Sequence, residues 1–344
     1  MAEKYIAVAE ESSGYGTHVT VNDRIFLKIL NESVQTTRGD HFPETVESWT
    51  PGNYVEGPYA AGGDIETLVD PYQFTKLLVF HLGDPTTSVV VTGSVYKHKF
   101  TYGGTESVSA TGLKSFTIIK GVGIEKDRRF DGGIITNLQI EARAKEVVGG
   151  TISVIGNGKE TLQTASGASY VRYSGARFMS FADAETMTVG GSGRLTTAPF
   201  IEAFTLSLPR GYDADHYVLS KSTLAAQTLH GVAIPTGTMD FTFTSEDEHE
   251  RFLSIVGATT TGPQSGHATI LNLRGDLITS GYYNEIEFSI PNTFYTASEN
   301  AVRGKDRIVQ TVTYRGNHNT LSGCSVQVTV QNKTSSYVAL TNAL

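Results

Sequence analysis

The chain of 344 residues carries 27 Lys and Arg against 35 Asp and Glu, a net charge of −8, with 36 Gly, 10% aromatic and 18% charged residues. That balance argues against a tight grip on nucleic-acid phosphates, which needs clustered Lys and Arg. No apolar run approaches the ~20 residues of a membrane-spanning helix, and Cys324, the single cysteine, excludes an intramolecular disulfide and fits a reducing compartment. Glycine with abundant Thr, Ser and Val predicts many short strands and turns. The opening MAEKYIAVAEES has early acids and no long apolar core, so it does not read as a signal peptide. Within Gly63–Gly83 a strand leads to a helix with Asp70 as N-cap, Pro71 at its first position and Gly83 as its stop. Tyr96, His98, Phe100 and Tyr102 then alternate with Lys97, Lys99 and Thr101; a Gly103-Gly104 turn follows and TESVSA returns, predicting a long hairpin over 95–110. Leu138 and Ile140 alternate with Asn137, Gln139 and Glu141 in another strand. The small, polar stretch Asn157–Ser169 reads as a linker, which divides the chain into 1–165 and 166–344. A second helix follows with Ser245 as N-cap, Glu248 completing a capping box and Gly257 as the stop. In the last clear strand Tyr282, Ile286, Phe288 and Ile290 share a face.

The second part of the chain repeats the order of the first. Gly63–Gly83 falls on Gly237–Gly257 at an offset of 174, without gaps, setting Ile65 on Met239 and Leu78 on Phe252; the same offset upstream sets Leu30 on Phe204 and Ser33 on Ser207. Downstream, Ser115–Gly121 falls on Thr269–Gly275; Leu138, Ile140 and Ala142 fall on Ile286, Phe288 and Ile290; and Gly156 falls on Gly316. These offsets imply extra residues after the first helix, where the hairpin lies, and an insertion at Pro291–Lys305 in the second copy.

Catalytic constellations are weak. The nine histidines include no H-x-x-x-H pair, and one cysteine leaves no thiolate zinc site. His249 among Glu246, Asp247, Glu248 and Glu250 resembles a metal cluster, but the simpler reading is a solvated acidic first turn. Val189–Arg194, VGGSGR, lacks the ending of a phosphate loop and reads as a turn. Arg128 and Arg129, and Arg303, Lys305 and Arg307, read as solvated loop clusters, with inter-subunit ion pairs as the functional alternative. The sequons at Asn31 and Asn332 read as chance matches, and no G-x-S-x-G elbow occurs. No catalytic, cofactor or metal residues are assigned.

The opening YIAVAEESSGYGT with IFLKILNESV, the strand pair IITNLQIEARAKEVVGGTISVIG (134–156) around Gly-Gly, and the two strand–helix–glycine blocks resemble the tail tube (major tail) proteins of long-tailed bacteriophages. The resemblance implies a mainly β fold of two tandem β-sandwich or barrel tail-tube domains, each with one flanking α-helix. It implies a structural virion protein of the tail, assembled in the host cytoplasm, without enzymatic activity or cofactor. Its subunits would form rings stacked into a conduit for DNA; a duplicated chain needs only three copies for a pseudo-hexameric ring. The partners implied are the chain itself, the tape measure inside the tube, the tail terminator, the tail tip and DNA in transit, with a non-contractile tail and an acidic lumen. Within that frame Tyr96, Lys97, His98, Lys99, Phe100, Tyr102 and Glu106 of the hairpin are the expected inter-subunit contact, although the hairpin can also fold back on its own domain. Two rivals are a β-sandwich binding module, such as a carbohydrate-binding decoration with Tyr282, Tyr283, Phe294 and Tyr295 as its platform, and a β-rich hydrolase.

Overall fold

A computed structural model describes residues 5–11, 14–17, 25–42, 55–91, 93–103, 114–121, 126–158, 160–164, 177–213, 215, 217–219, 223, 233–253, 265–301 and 308–337. In chain order the elements are β1 (Tyr5–Glu10), β2 (Ile25–Leu27), β3 (Ile29–Glu32), β4 (Gln35–Arg38), β5 (Tyr59–Leu68), α1 (Gln73–Leu82), β6 (Thr86–Val91), β7 (Val95–Tyr102), β8 (Phe116–Gly121), β9 (Lys126–Arg143), β10 (Gly149–Gly156), β11 (Glu160–Thr164), β12 (Ala184–Val189), β13 (Ser192–Gly193), β14 (Ile201–Pro209), β15 (Thr236–Thr242), α2 (Asp247–Leu253), β16 (His267–Thr279), β17 (Tyr282–Ala301), β18 (Val309–Gly316) and β19 (Val326–Asn332). The protein is mainly β, and its strand pairings are antiparallel.

Two long strands organise the molecule. The first half of β9 pairs with β8 and β11, and its second half with β10 and β14. β17 does the same, pairing first with β16 and β19 and then with β18. Each long strand therefore belongs to two strips of sheet, and the apolar faces of both strips meet in one core that includes Val8, Ile65, Ile140, Ile152, Phe241, Phe288 and Tyr314.

The pairings around β9 and β17 have the same register. Gly149 opposite Leu68 is matched by Val309 opposite Thr242, and Phe116 opposite Gly133 by His267 opposite Thr293. The irregularities coincide as well: the slip between Ile29 and Asn31 on β5 recurs between Ile201 and Ala203 on β15. The break where Asn137 and Ile135 face Ser153 and Val154 recurs where Ala297 and Tyr295 face Thr313 and Tyr314. This register corrects three alignments made on apolar pattern. Leu138 and Ile140 stand with Ser298 and Asn300, not with Ile286 and Phe288; Phe204 stands with Glu32, not Leu30; and Ile118 stands with Thr269. Pro291–Ala301 is thus no insertion but the continuation of β17. An alternating strand looks the same after any even slip, which is why the pattern missed two of these. The third is an odd slip in β8, where four successive buried residues blur the alternation.

Local chemistry explains the helix ends. Asp70 Oδ1 accepts the N–H groups of Tyr72 (2.8 Å) and Gln73 (2.7 Å) at the start of α1, but the N-cap is Tyr72, so Asp70 and Pro71 stand before the helix rather than at its N-cap and first position. Gly83 closes it at φ 87°, a left-handed conformation that favours glycine, its N–H bonded to Val79 O. The capping box expected of α2 is not built: Ser245 Oγ has no partner, and the Glu248 carboxylate turns inward. The expected linker contains β11, paired with β9 from Glu160 opposite Phe130 to Thr164 opposite Lys126. Arg128 and Arg129 are on strand β9, not in a loop, with Glu160 and Asp131 as ion-pair partners. The 165/166 boundary, Gly257 and the Arg303–Arg307 cluster lie outside the described residues.

Candidate assembly surface

The strip β3/β4–β5–β10–β9 continues across β14 into β15–β18–β17, making one eight-step sheet from two equivalent parts. The seam is the β9–β14 pairing, which runs from Arg143 opposite Ala203 to Asn137 opposite Pro209. Its inner face is apolar, with Leu138, Ile140, Leu206 and Leu208 all buried. His81 of α1 lies beneath it and touches both strands, with Nε2 at 2.8 Å from Leu208 O and Nδ1 at 3.3 Å from Ile135 O. Burial, reinforced by the Arg210 charge, lowers the His81 pKa to about 3, so the ring is neutral and has a single N–H to give to one of the two carbonyls.

The outer face is wet and rich in hydroxyls and amides. Ser207 Oγ donates to Asn137 Oδ1 across the seam (2.8 Å), Thr205 and Thr238 hydroxyls meet at 2.9 Å, and Thr311 Oγ1 donates to Asp240 Oδ1 at 2.7 Å. By strand alternation this face carries Asp64, Glu66, Glu141, Asp240 and Glu299 against Arg143 and Arg315. Acids in excess on a hydroxylated wall offer little to hold a polyanion.

The sheet ends in two strands that have no second neighbour among the described residues: β3/β4 at one side and residues 294–301 of β17 at the other. Exposed strand edges are templates for pairing.

The hairpin residues chosen from the sequence are elsewhere. β7 forms its hairpin with the preceding β6, around Gly93, and its other edge pairs with β19, Tyr102 opposite Val326 and Tyr96 opposite Asn332. The segment expected to return, with Glu106, lies outside the described residues. The alternation is as read, but its aromatic face is internal: His98, Phe100 and Tyr102 are buried, Tyr96 is half-buried, and Lys97 and Lys99 are exposed. Tyr102 donates its hydroxyl to Pro209 O, and His98 bonds Thr87 Oγ1 (2.9 Å) and Thr334 O (2.8 Å). The hairpin therefore joins the first part of the chain to the second. Removing β7 would strip core residues, so the fold cannot survive its loss.

The acidic first turn of α2 is only partly solvated. Glu246, Asp247 and Glu250 are exposed, but Glu248 is fully buried, ion-paired with Arg194 and with Arg251 (3.2 Å) and accepting the Tyr295 hydroxyl at 2.6 Å. His249 contacts Ser298 Oγ at 3.3 Å. Periodicity did not reveal this network, because its members are far apart in sequence. The four aromatics of the rival binding platform do not assemble either: Tyr295 is buried in this network, and Tyr283 lies under Arg274.

No curated protein matches the chain. A family model described as phage tail tube protein matches residues 2–316. The match runs through both parts of the sheet, the seam and both free edges. The chain belongs to the phage tail tube protein family, and is a structural component of the virion tail.

Proposed function

We propose that this protein forms the wall of the phage tail tube as stacked trimeric rings, each chain supplying two tandem tube domains divided near 165/166. The observation that carries this reading is the seam, where two parts of equal register join edge to edge and leave one free edge of each kind. Three chains repeating that junction close a ring of six tube units without an exposed sheet edge. The acid-bearing wet face then lines the lumen, where it repels DNA and lets it slide during ejection into the host. The tape measure fills the lumen before ejection, the tail terminator and tip bind the two ends of the tube, and assembly takes place in the host cytoplasm around a non-contractile tail. The hairpin's exposed Lys97 and Lys99 are free to meet a neighbouring subunit or ring.

Negative-stain electron microscopy across a protein concentration series tests this directly. Rings with an axial hole and six lobes built from three chains are expected. Closed rings of any other chain number overturn the trimer, and uniform monomers throughout overturn spontaneous ring formation.

A further inference from the structure

The free β3/β4 edge differs in one respect from the equivalent edge of β14 at the seam. Ser33 N–H donates to Asp64 O (2.9 Å) and so faces β5. In an extended chain the next residue faces the other way. That residue, Val34, has its N–H bonded to Glu32 Oε2 at 3.1 Å and its carbonyl approached by Lys120 Nζ at 3.5 Å, while Glu32 and Lys120 are ion-paired and mostly buried. The shared register gives the seam counterparts. Leu206, which lies opposite Ile140, stands for Val34; Phe204 stands for Glu32; and Leu271 stands for Lys120. Phe204 and Leu271 line one apolar pocket with Ala142 of the paired strand. The same place is thus apolar where a strand is permanently docked and charged where the edge is open.

We propose that the edge Ser33–Thr37 is the docking surface for residues 297–301 of a second copy of this chain, in the register of the internal seam, and that the Glu32–Lys120 pair latches it. The occupant follows from the seam itself, where Asn137–Glu141, the counterpart of the β17 end, is seated on the counterpart of this edge. Carrying that register over sets Ala301 opposite Ser33, Glu299 opposite Gln35 and Ala297 opposite Thr37. On docking, the incoming backbone replaces Glu32 and Lys120 at Val34, so the buried ion pair must reorganise before the edge is fully paired. A chain with this latch stays apart until concentration or a templating ring drives addition. The proposal rests on the ring reading above.

Cysteine pairs test the register, since Cys324, the native cysteine, is buried and directly opposed antiparallel residues can approach disulfide spacing. In ring-forming conditions Gln35→Cys with Glu299→Cys is expected to give covalent trimers on oxidation, whereas Asn31→Cys with Glu299→Cys stays monomeric on a denaturing gel. Rings of wild-type protein by microscopy without the 35–299 link overturn the edge assignment and leave the tube reading standing; absence of rings overturns both. For the latch, Glu32→Phe with Lys120→Leu copies the seam and should lower the concentration threshold for rings several-fold. Glu32→Gln, which keeps an acceptor for Val34 N–H, should lower it less and guards against a folding defect in the double variant. An unchanged threshold in a folded variant overturns the latch.

Discussion

The two helices occupy equivalent places and have opposite surroundings. Nine residues of α1, Gln73 to His81, are buried, whereas Glu248 is the buried residue of α2. The core at α1 includes Phe74 of the helix with Phe116 and Ile135; the counterparts at α2 are Glu248 of the helix, His267 and Tyr295. The first set is an apolar core, with Phe80 and Phe116 at 4.8 Å; in the second, Glu248 holds Arg194 and accepts the Tyr295 hydroxyl, and the His267 ring packs edge-on against Tyr295 at 4.8 Å. Topology here is set by strand register, which tolerates either interior. The burial difference has a separate cause. The second part of the chain covers α1, through Phe288 against Phe74 and the Asn332 amide donating to Pro71 O (2.6 Å).

The comparison breaks most visibly at Phe74. Phe74→Ala removes a ring at zero exposure that touches both parts of the chain, and the expected loss is about 3–5 kcal/mol in denaturant unfolding. At the equivalent position Glu248→Ala strands Arg194, 4% exposed, and the expected loss is about 3 kcal/mol. The two sites then separate on the second step: Arg194→Leu added to Glu248→Ala should restore part of the stability, because an unpaired buried cation is removed. No second substitution should rescue Phe74→Ala. A double variant less stable than Glu248→Ala would show that Arg194 is held by other partners.

Acid probes the same contrast more gently. Burial lowers His267 to about 4 and His81 to about 3, from 6.5 in the unfolded chain. Both are neutral in the fold at neutral pH, so below 6.5 the unfolded state binds more protons, and stability falls with pH until each folded pKa is passed. Their contribution is complete above about pH 6.5 and is lost between there and pH 4 to 3. His267→Phe, which copies Phe116, should flatten the fall in melting temperature between pH 6.5 and 4 relative to wild type. An unchanged slope would place the acid lability elsewhere.

Sequence pattern revealed the strand–helix–glycine block at 63–83, and the strand and helix of the second, because Asp70, Gly83 and the alternation around Ile65 and Met239 act locally. It could not reveal the register of β9 against β17, since alternation is blind to even slips. Nor could it find the seam or the latch: His81 to Leu208, Lys120 to Val34 and Arg194 to Glu248 are contacts between distant residues with no spacing rule. The hairpin shows the limit best. An aromatic face and a basic face were legible, but not that β19 of the same chain takes the free edge of β7.

That strand supplies the smallest expected effect. Lys97 and Lys99 are exposed on the outward face of β7, while Phe100 between Lys99 and Thr101 is 2% exposed in the core. Lys97→Ala with Lys99→Ala should shift stability by no more than about 0.5 kcal/mol, the range of surface substitutions. Phe100→Ala should cost about 3–5 kcal/mol. The strand that ties the two parts of the chain together holds through its inner face, so its outer face is available for other contacts. Shorter or fewer tubes from the double lysine variant, at unchanged melting temperature, would locate an inter-subunit contact there; wild-type tube lengths would confine the hairpin to its internal role.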